Sequence, residues 1–308
     1  MTNPTPPFDE LLLFTIDWRN RPVTQRLINS LASLPITLWI IINDDLAATY
    51  SLPAGAQLSL KKHRIGRNVG FAAACNQACM LASQQGANYL LHMNNDLQLS
   101  LAEQLLPFIT LFKAQPHCAI ASPTIQLSNE RVEFAGSHPL ARLSSALIIA
   151  NKQPPTDQQR LHPTQFINGA CFIARCEALQ QVGGFDEAYF AYREEHDLSF
   201  RLKQANWQIG HIPAMQVTHS LSASSNRTPY FKNLLITRGQ LLFLQKNLRG
   251  IEALLFALIF ALKTLLKVIS ALLSGNIQTI KAVRDAFKNR LFKQPLQLKI
   301  LDEEIKLP

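Results

Sequence analysis

The chain has 308 residues, 47% of them hydrophobic and 17% charged, with a formal net charge of +9. That length and composition exclude a disordered chain and leave room for one large domain with an appendage rather than several domains. The charge is a property of the tail: Tyr230 to Pro308 carries 13 Lys and Arg against 5 Asp and Glu, which leaves +1 for the first 229 positions. A basic tail attracts phosphates, whether in nucleic acid or in anionic lipid. The five cysteines, Cys75, Cys79, Cys118, Cys171 and Cys176, lack paired C-x-x-C spacing and read as buried thiols of a reducing compartment. The opening stretch MTNPTPPFDELLLF has no basic region ahead of its apolar run and carries Asp9 and Glu10, which argues against a secretory signal.

In chain order, Leu11 to Ile16, Ile36 to Ile42 and Tyr89 to Met93 are short apolar runs that predict strands. Arg21 to Ser33, Gly70 to Gln84 and Leu101 to Phe112 predict helices. The alternation is that of βαβ units, an α/β fold with a mostly parallel sheet covered on both faces. Ligands of such sheets sit beyond the carboxyl ends of the strands. There the sequence places Asp17, then Asn43 and Asp44, then Asn94, Asn95 and Asp96.

Two of these regions suggest ligands. In RNVGFAAACNQA, residues 67–78, Gly70 permits close backbone approach at the start of a helix, and Asn68 and Asn76 offer amides to a nucleotide. The same stretch also reads as a capped, Ala-rich helix. In HMNNDLQLS, residues 92–100, a carboxylate and two amides could coordinate a hard divalent cation, with water and phosphate completing the shell. Taken alone it also reads as an ordinary turn.

From Ile125 to Pro163 the pattern loosens into a polar stretch that predicts an antiparallel ribbon and a mobile loop, with NKQPPTDQQRLHP its most loop-like part. Regular order returns from Phe166 to His219 and ends in the strand-like WQIGHIP. Inside this block AYFAYREEHDLSFRL, residues 188–202, crowds Glu194, Glu195 and Asp197 together. In a helix starting near Arg193, Asp197 can pair with Arg201, and the macrodipole favours acids in the first turn. Those effects leave unexplained three acids beside Phe190, Tyr192 and Leu198. A desolvated carboxylate with another close by has a raised proton affinity, as a general base requires.

The tail contains Ile251 to Gly275, apolar enough for a membrane helix but interrupted by Glu252, Lys263 and Lys267. Its wide apolar face, with Lys281, Arg284, Lys288, Arg290 and Lys293 following, predicts a helix lying in a membrane interface against anionic headgroups. A helix that caps the core or pairs two subunits is the alternative. Nucleic-acid binding is disfavoured, because the tail lacks aromatic interleaving and any recognition motif.

Taken together, RNVGFAAACNQ, LLHMNNDLQLS, the long run from Asn168 to His219 and YFKNLLITRGQLLF resemble the family-2 glycosyltransferases of the rhamnosyltransferase-like branch, over roughly residues 11–247. The resemblance implies a GT-A fold. Residues 1–122 would form the nucleotide-binding half, 123–229 the acceptor-binding half, and 230–308 a helical, basic membrane-association tail. Asp96 stands at the last acid of the family's D-x-D-like metal motif and Asn94 at its first, with His219 matching a late histidine that completes the metal shell in some relatives. Asn43 and Asp44 resemble the pair that holds the nucleoside, in swapped order. Asp17, Asn68, Gly70 and Asn76, with Asn95 beside the metal motif, fall at positions lining the same pocket. Glu195 replaces the catalytic base, and Glu194 and Asp197 would orient the acceptor or Arg201. Residues 168–187 resemble the family's linker from the sheet to the acceptor side.

What this implies is an inverting transfer of a hexose or deoxyhexose, rhamnose among them, from a UDP- or dTDP-sugar. Mg2+ or Mn2+ would assist, the acceptor would be a saccharide or lipid-linked saccharide, and the pathway would be bacterial surface polysaccharide assembly. The protein would sit on the cytoplasmic face of the cell membrane, with a homodimer as a further expectation and no nucleic-acid partner. Two alternatives stand beside it. A nucleotidyltransferase would need a glycine-rich triphosphate loop that Asp17 to Arg26 lacks. A non-catalytic, degenerate sugar-nucleotide-binding protein is suggested by Asn94.

Overall fold

The computed structural model describes residues 8, 10–99, 102–142, 149–220 and 229–288. Its centre is a 10-stranded mixed sheet. In the first half, β1 (Leu11–Asp17), β2 (Thr37–Ile42), β3 (Ser59–Arg64) and β4 (Tyr89–Met93) run parallel in the order β3-β2-β1-β4. Alternation along β1 sends Leu11 and Leu13 into one core and Leu12 and Phe14 into the other. The connecting helices cover both faces: α1 (Arg21–Leu31) packs Leu27, Ile28 and Leu31 with Leu13, while α2 (Gly70–Gln84) packs Ala74, Ala78 and Leu81 with Phe14. The carboxyl ends of β1, β2 and β4 therefore open on one edge.

The second half adds β5 (Leu97–Leu99), α3 (Leu105–Lys113), β6 (Cys118–Leu127), β7 (Val132–Phe134) and β8 (His162–Pro163). It continues with β9 (Cys171–Arg175), α4 (Cys176–Gln181), α5 (Glu194–Gln204) and β10 (Gln208–His219). The predicted ribbon is the antiparallel β6–β7 pair. Residues 168–187, expected as a linker, instead supply β9, which lies antiparallel between β4 and β6 and welds the halves into one sheet. Its residues Cys171 to Ala174 are buried on both faces, which a central strand requires. The polar edge strand β3 also lay outside the apolar pattern, because SLKKHR is solvated along most of its length.

Three helices follow: α6 (Pro229–Asn247), α7 (Gly250–Leu273) and α8 (Ile277–Lys288). The first packs on the α/β body. Arg238 is buried and donates to the carbonyls of Ala188 and Tyr189, and Asn247 Nδ2 donates to Asp197 at 2.7 Å. In α7 only Phe256, Phe260 and Ala271 are buried, while Leu254, Leu258, Leu262, Leu265, Leu266, Ile269 and Leu272 face outward. It is long and apolar enough to cross a membrane by length and composition. Of the basic run expected to meet headgroups, Lys281 and Arg284 lie on α8, whereas Arg290 and Lys293 lie outside the described residues.

The chain between α4 and α5 turns sharply, with positive φ at Phe190 (64°), Tyr192 (67°) and Arg193 (79°). Gly70 makes the turn fit: its φ is +84°, and a Cβ there would stand 2.5 Å from the Phe190 carbonyl oxygen. Gly70→Ala is therefore expected to cost about 2–4 kcal/mol, from overpacking plus a left-handed backbone. Urea unfolding of the two proteins checks this, and an unchanged midpoint would contradict the packing.

Candidate active site

A cavity of about 450 Å³ opens at the carboxyl ends of the parallel strands. One wall carries Ile16, Trp18, Asn43, Asn68 and Gly70; the floor carries Asn94, Glu133 and His219; the far wall carries Tyr192, Glu194 and Glu195; Phe231, Lys232 and Leu235 of α6 close the top. Asn43, Asn68, Gly70, Asn94, Glu194, Glu195 and His219 thus meet, although the sequence separates them by up to 176 positions (219 minus 43). Asp96 joins them through His219. Asp17, Asp44, Asn76, Asn95 and Asp197 do not line the cavity.

The residues behind the wall have other partners. Asp17 accepts from Arg21 Nη1 (2.7 Å), the Tyr50 hydroxyl (2.7 Å) and the Asn20 amide (3.1 Å). Asp44 takes both Arg21 Nη groups, at 2.6 and 3.0 Å, and the amides of Arg19 and Leu46. Burial alone would raise the Asp44 carboxyl, but Arg21 and those N–H donors hold it below the usual carboxylate range. Asn76 bonds Phe185 N and O, both at 2.9 Å, and Glu187. Asn95 donates to Thr24 at 2.9 Å. Asp197 takes Arg201 Nε at 2.7 Å, the Tyr189 hydroxyl and Asn247. These five side chains brace the strand ends and the α4–α5 turn. Arg21, Tyr50 and Glu133 were not singled out from sequence; only Arg21, four residues after Asp17, left a local signal.

On the first wall Asn43 Oδ1 accepts from the Val69 amide at 2.9 Å, and its Nδ2 donates to Asn68 Oδ1 and the Gly70 carbonyl, both at 3.3 Å. Asn68 Oδ1 also accepts from Gly70 N at 3.0 Å. The pair fixes the loop at the start of α2, so the wall is rigid before any ligand arrives.

On the floor, His219 lies between two carboxylates, with Nδ1 2.8 Å from Glu133 and Nε2 3.3 Å from Asp96. Burial would lower its proton affinity, but the hydrogen bonds and charges of Asp96 and Glu133 hold it up at about 9. Asn94 Oδ1 is 3.0 Å from His92 Nε2. Burial pushes His92 down to about 4, so it is neutral at pH 7 and this bond needs its proton on Nε2. Asn94 Oδ1 is thereby engaged as an acceptor. Among the described residues no group of three or more His, Cys, Asp or Glu side chains could hold a metal ion. Asp96 and His219 offer two donors with Glu133 behind the histidine, an arrangement that fits a hard divalent cation only if phosphate oxygens supply the rest of the shell.

The far wall separates two adjacent acids. Burial, then the charge of Glu195, raises the Glu194 carboxyl well above its ordinary value. Burial pulls Glu195 the same way, but His196, Arg193 and the backbone outweigh it and leave the carboxyl below its ordinary value. His196 Nδ1 lies 3.0 Å from Glu195 Oε1, and burial keeps His196 itself below its usual proton affinity. Their surroundings thus push the two carboxyls in opposite directions, Glu194 up and Glu195 down, a division that their proximity in sequence does not disclose. Glu194 Oε2 and Glu195 Oε2 are both buried without a hydrogen-bond partner among the described residues. Beside them, burial and the charges of Glu194, Asp96 and Glu195 all raise the Tyr192 hydroxyl.

A mixed α/β sheet with amides, a carboxylate–histidine pair and two adjacent acids gathered at its strand ends is an arrangement that the GT-A fold of glycosyltransferases accommodates. The chain belongs to the glycosyl transferase family group 2, which residues 103–274, more than half of its length, match. A stretch of 76 residues is 41% identical to N-acetylglucosaminyl-diphospho-decaprenol L-rhamnosyltransferase of Mycobacterium tuberculosis, covering 23% of this chain and 25% of that one. The likeness therefore spans about a quarter of the curated relative's length. Among solved structures, a mannosyltransferase from Pyrobaculum calidifontis in complex with GDP-Man and Mn2+ superposes with a TM-score of 0.53 at 10% identity, over 92% of this chain and 88% of that one. At that identity the likeness concerns the fold.

The ion pairs of His219 make stability depend on pH. Its folded proton affinity is raised from 6.5 to about 9, so the stabilisation is complete below pH 6.5 and is lost as pH rises through about 9. The loss is expected to be about 3 kcal/mol. Urea midpoints between pH 6 and 10 should fall in the native protein and stay flatter in Glu133→Gln, and parallel curves would refute the assignment.

Proposed function

We propose that the protein is an inverting glycosyltransferase that moves a hexose or deoxyhexose, rhamnose included, from a UDP- or dTDP-sugar to a lipid-linked saccharide. It would work at the cytoplasmic face of a bacterial membrane, in surface polysaccharide assembly. One observation carries the reading: a single cavity joins an amide wall suited to a nucleoside with Glu195, whose carboxyl is held below its ordinary proton affinity and whose buried Oε2 has no hydrogen-bond partner among the described residues. Support for the deoxyhexose and the lipid carrier comes from the activity for which the Mycobacterium tuberculosis relative is named. Residues 1–229 would form the catalytic unit, and 230–308 the tail whose first helix also closes the cavity.

In this scheme Asn43 and Asn68 hold the nucleoside against Trp18. A sugar hydroxyl is too weak an acid to attack unaided, so Glu195 accepts its proton as the oxygen closes on the anomeric carbon. Glu194, whose proton affinity burial raises, would donate a hydrogen bond to a sugar oxygen, while Asp197 fixes the helix through Arg201. Asp96 and His219 would hold Mg2+ or Mn2+, which when bound offsets the charge on the departing diphosphate. Asp17, Asp44, Asn76 and Asn95 serve by holding the strand ends and turns that present these groups.

Glu195→Gln keeps the size of the side chain and removes the base. Its turnover should fall roughly 10²–10⁴-fold with donor affinity retained, whereas Asp96→Ala should weaken both turnover and Mn2+-dependent donor binding. Wild-type turnover in both variants, assayed with radiolabelled sugar nucleotide, would remove the assignment.

The bilayer is the proposed partner of α7, because its outward row of leucines is flanked by a basic α8. Flotation with vesicles of phosphatidylcholine and phosphatidylglycerol should carry the native chain. Leu258→Asp combined with Leu262→Asp should reduce the floated fraction at least about tenfold, given the burial energy of two leucines. A dimer that dissociates in the variant, with no flotation of either protein, would instead make the face a subunit contact.

A further inference from the structure

Beside Glu195 lies a histidine that the core holds against it. Side chains of successive residues on a helix do not face each other as a rule, yet His196 Nδ1 stands 3.0 Å from Glu195 Oε1. The imidazole lies on the ring of Phe166, with centroids 4.7 Å apart and planes inclined by 32°. Phe166 belongs to the main core, where it also packs on Phe134 with centroids 6.2 Å apart. Glu195 is confined as well. A Cβ on Gly169 would come within 3.7 Å of its Cβ and 3.9 Å of its carboxyl carbon, so the side chain runs along the Gly169 backbone, and both residues line the cavity.

The polar atoms of this pair are short of partners. Both side chains are largely buried, and neither nitrogen of His196 nor Glu195 Oε2 has an aligned hydrogen bond among the described residues. Burial favours the neutral imidazole, which has a single N–H to place. Arg193, Glu194 and the Tyr192 hydroxyl act on the pair from the same helix and the turn before it, while Phe166 and Gly169, which pack on it from elsewhere, bring no charge. A buried N–H requires an acceptor, and Glu195 Oε1 is the one that stands within reach of Nδ1. A carboxylate held at one oxygen presents the other in a fixed direction.

Resting on the glycosyltransferase reading above, we infer that His196 is a positioning residue whose Nδ1–H holds Glu195 Oε1 and so presents Oε2 to the acceptor hydroxyl. The hydroxyl proton passes to Oε2, and an electron pair of the hydroxyl oxygen forms the bond to the anomeric carbon. The diphosphate leaves with the pair of the bond that breaks, and the His196 proton stays on Nδ1 throughout. The Nδ1–Oε1 contact is close but imperfectly aligned in the empty cavity, and it straightens when substrate arrives, as hydrogen bonds to a general base often do.

Two variants separate the N–H from the ring. His196→Phe keeps a ring against Phe166 and removes the donor, whereas His196→Asn removes the ring and keeps an amide N–H near the place of Nδ1. Turnover of radiolabelled dTDP-rhamnose and UDP-sugars by the full chain is followed across pH. In His196→Phe the acid limb of kcat/KM should move up by about one pH unit and kcat should fall roughly tenfold, with donor KM changed by less than about twofold. His196→Asn should keep the native limb and most of the turnover. The reverse order, with Phe tolerated, Asn damaging and the acid limb unmoved, would show a packing role and overturn the inference. Nitrogen NMR of the native protein with labelled imidazoles decides it without turnover or variants: the His196 proton should reside on Nδ1, and a proton on Nε2 overturns the inference. A proton on Nδ1 in a chain that turns over no sugar nucleotide would keep the contact and remove the glycosyltransferase reading instead.

Discussion

Two glycines grip the turn on which the site depends. Gly70, at the start of α2, lets the Phe190 carbonyl approach, and that carbonyl accepts the Ala72 amide at 3.1 Å. Gly239, in α6, lets the Tyr192 carbonyl and the Arg193 side chain approach from the other side. Between them Phe190, Tyr192 and Arg193 adopt left-handed backbone that isolated residues of these types avoid. The neighbouring contacts, including Arg238 on the carbonyls of Ala188 and Tyr189, hold that conformation in place. Because Arg193 caps α5, the direction of Glu194 and Glu195 is decided there.

The acids fall into two populations that chemistry alone would not separate. Asp17 and Asp44 share Arg21, and Asp197 has Arg201, so each anion is buried with its counterion and additional donors. Such carboxylates serve architecture, since removing the partner would leave an uncompensated charge. Glu194 and Glu195 have no pairing of that kind with lysine or arginine within hydrogen-bond reach, and each keeps an oxygen without a partner. Asp96 and Glu133 lie between these cases. Their counterion is the imidazolium of His219, a group that can give up its proton to another cation.

The C-terminal helices extend the same logic outward. α6 is welded to the catalytic body by Arg238 and Asn247 and contributes Phe231, Lys232 and Leu235 to the cavity, so the last part of the chain helps to form the site. α7 then turns leucines outward and a lysine inward, opposite to the usual order for a helix on the surface of a protein in water.

Local patterning was enough for the continuous apolar runs of β1, β2 and β4 and the 3.6-residue period of α1 and α2, since each of those elements buries apolar side chains that can be read locally. It also delivered Asn43, Asn94 and Asp96 to strand ends, because a strand end is a local event. It could not show β9 as a central strand, since a five-residue apolar run has the same composition in a linker as in a sheet. Nor could it show Glu133 beneath His219, which depends on β7 folding back on β6. The difference between Glu194 and Glu195 was likewise tertiary: proton affinity follows from what desolvates a carboxyl and which charges surround it, and for adjacent residues on a helix those surroundings come from other parts of the fold.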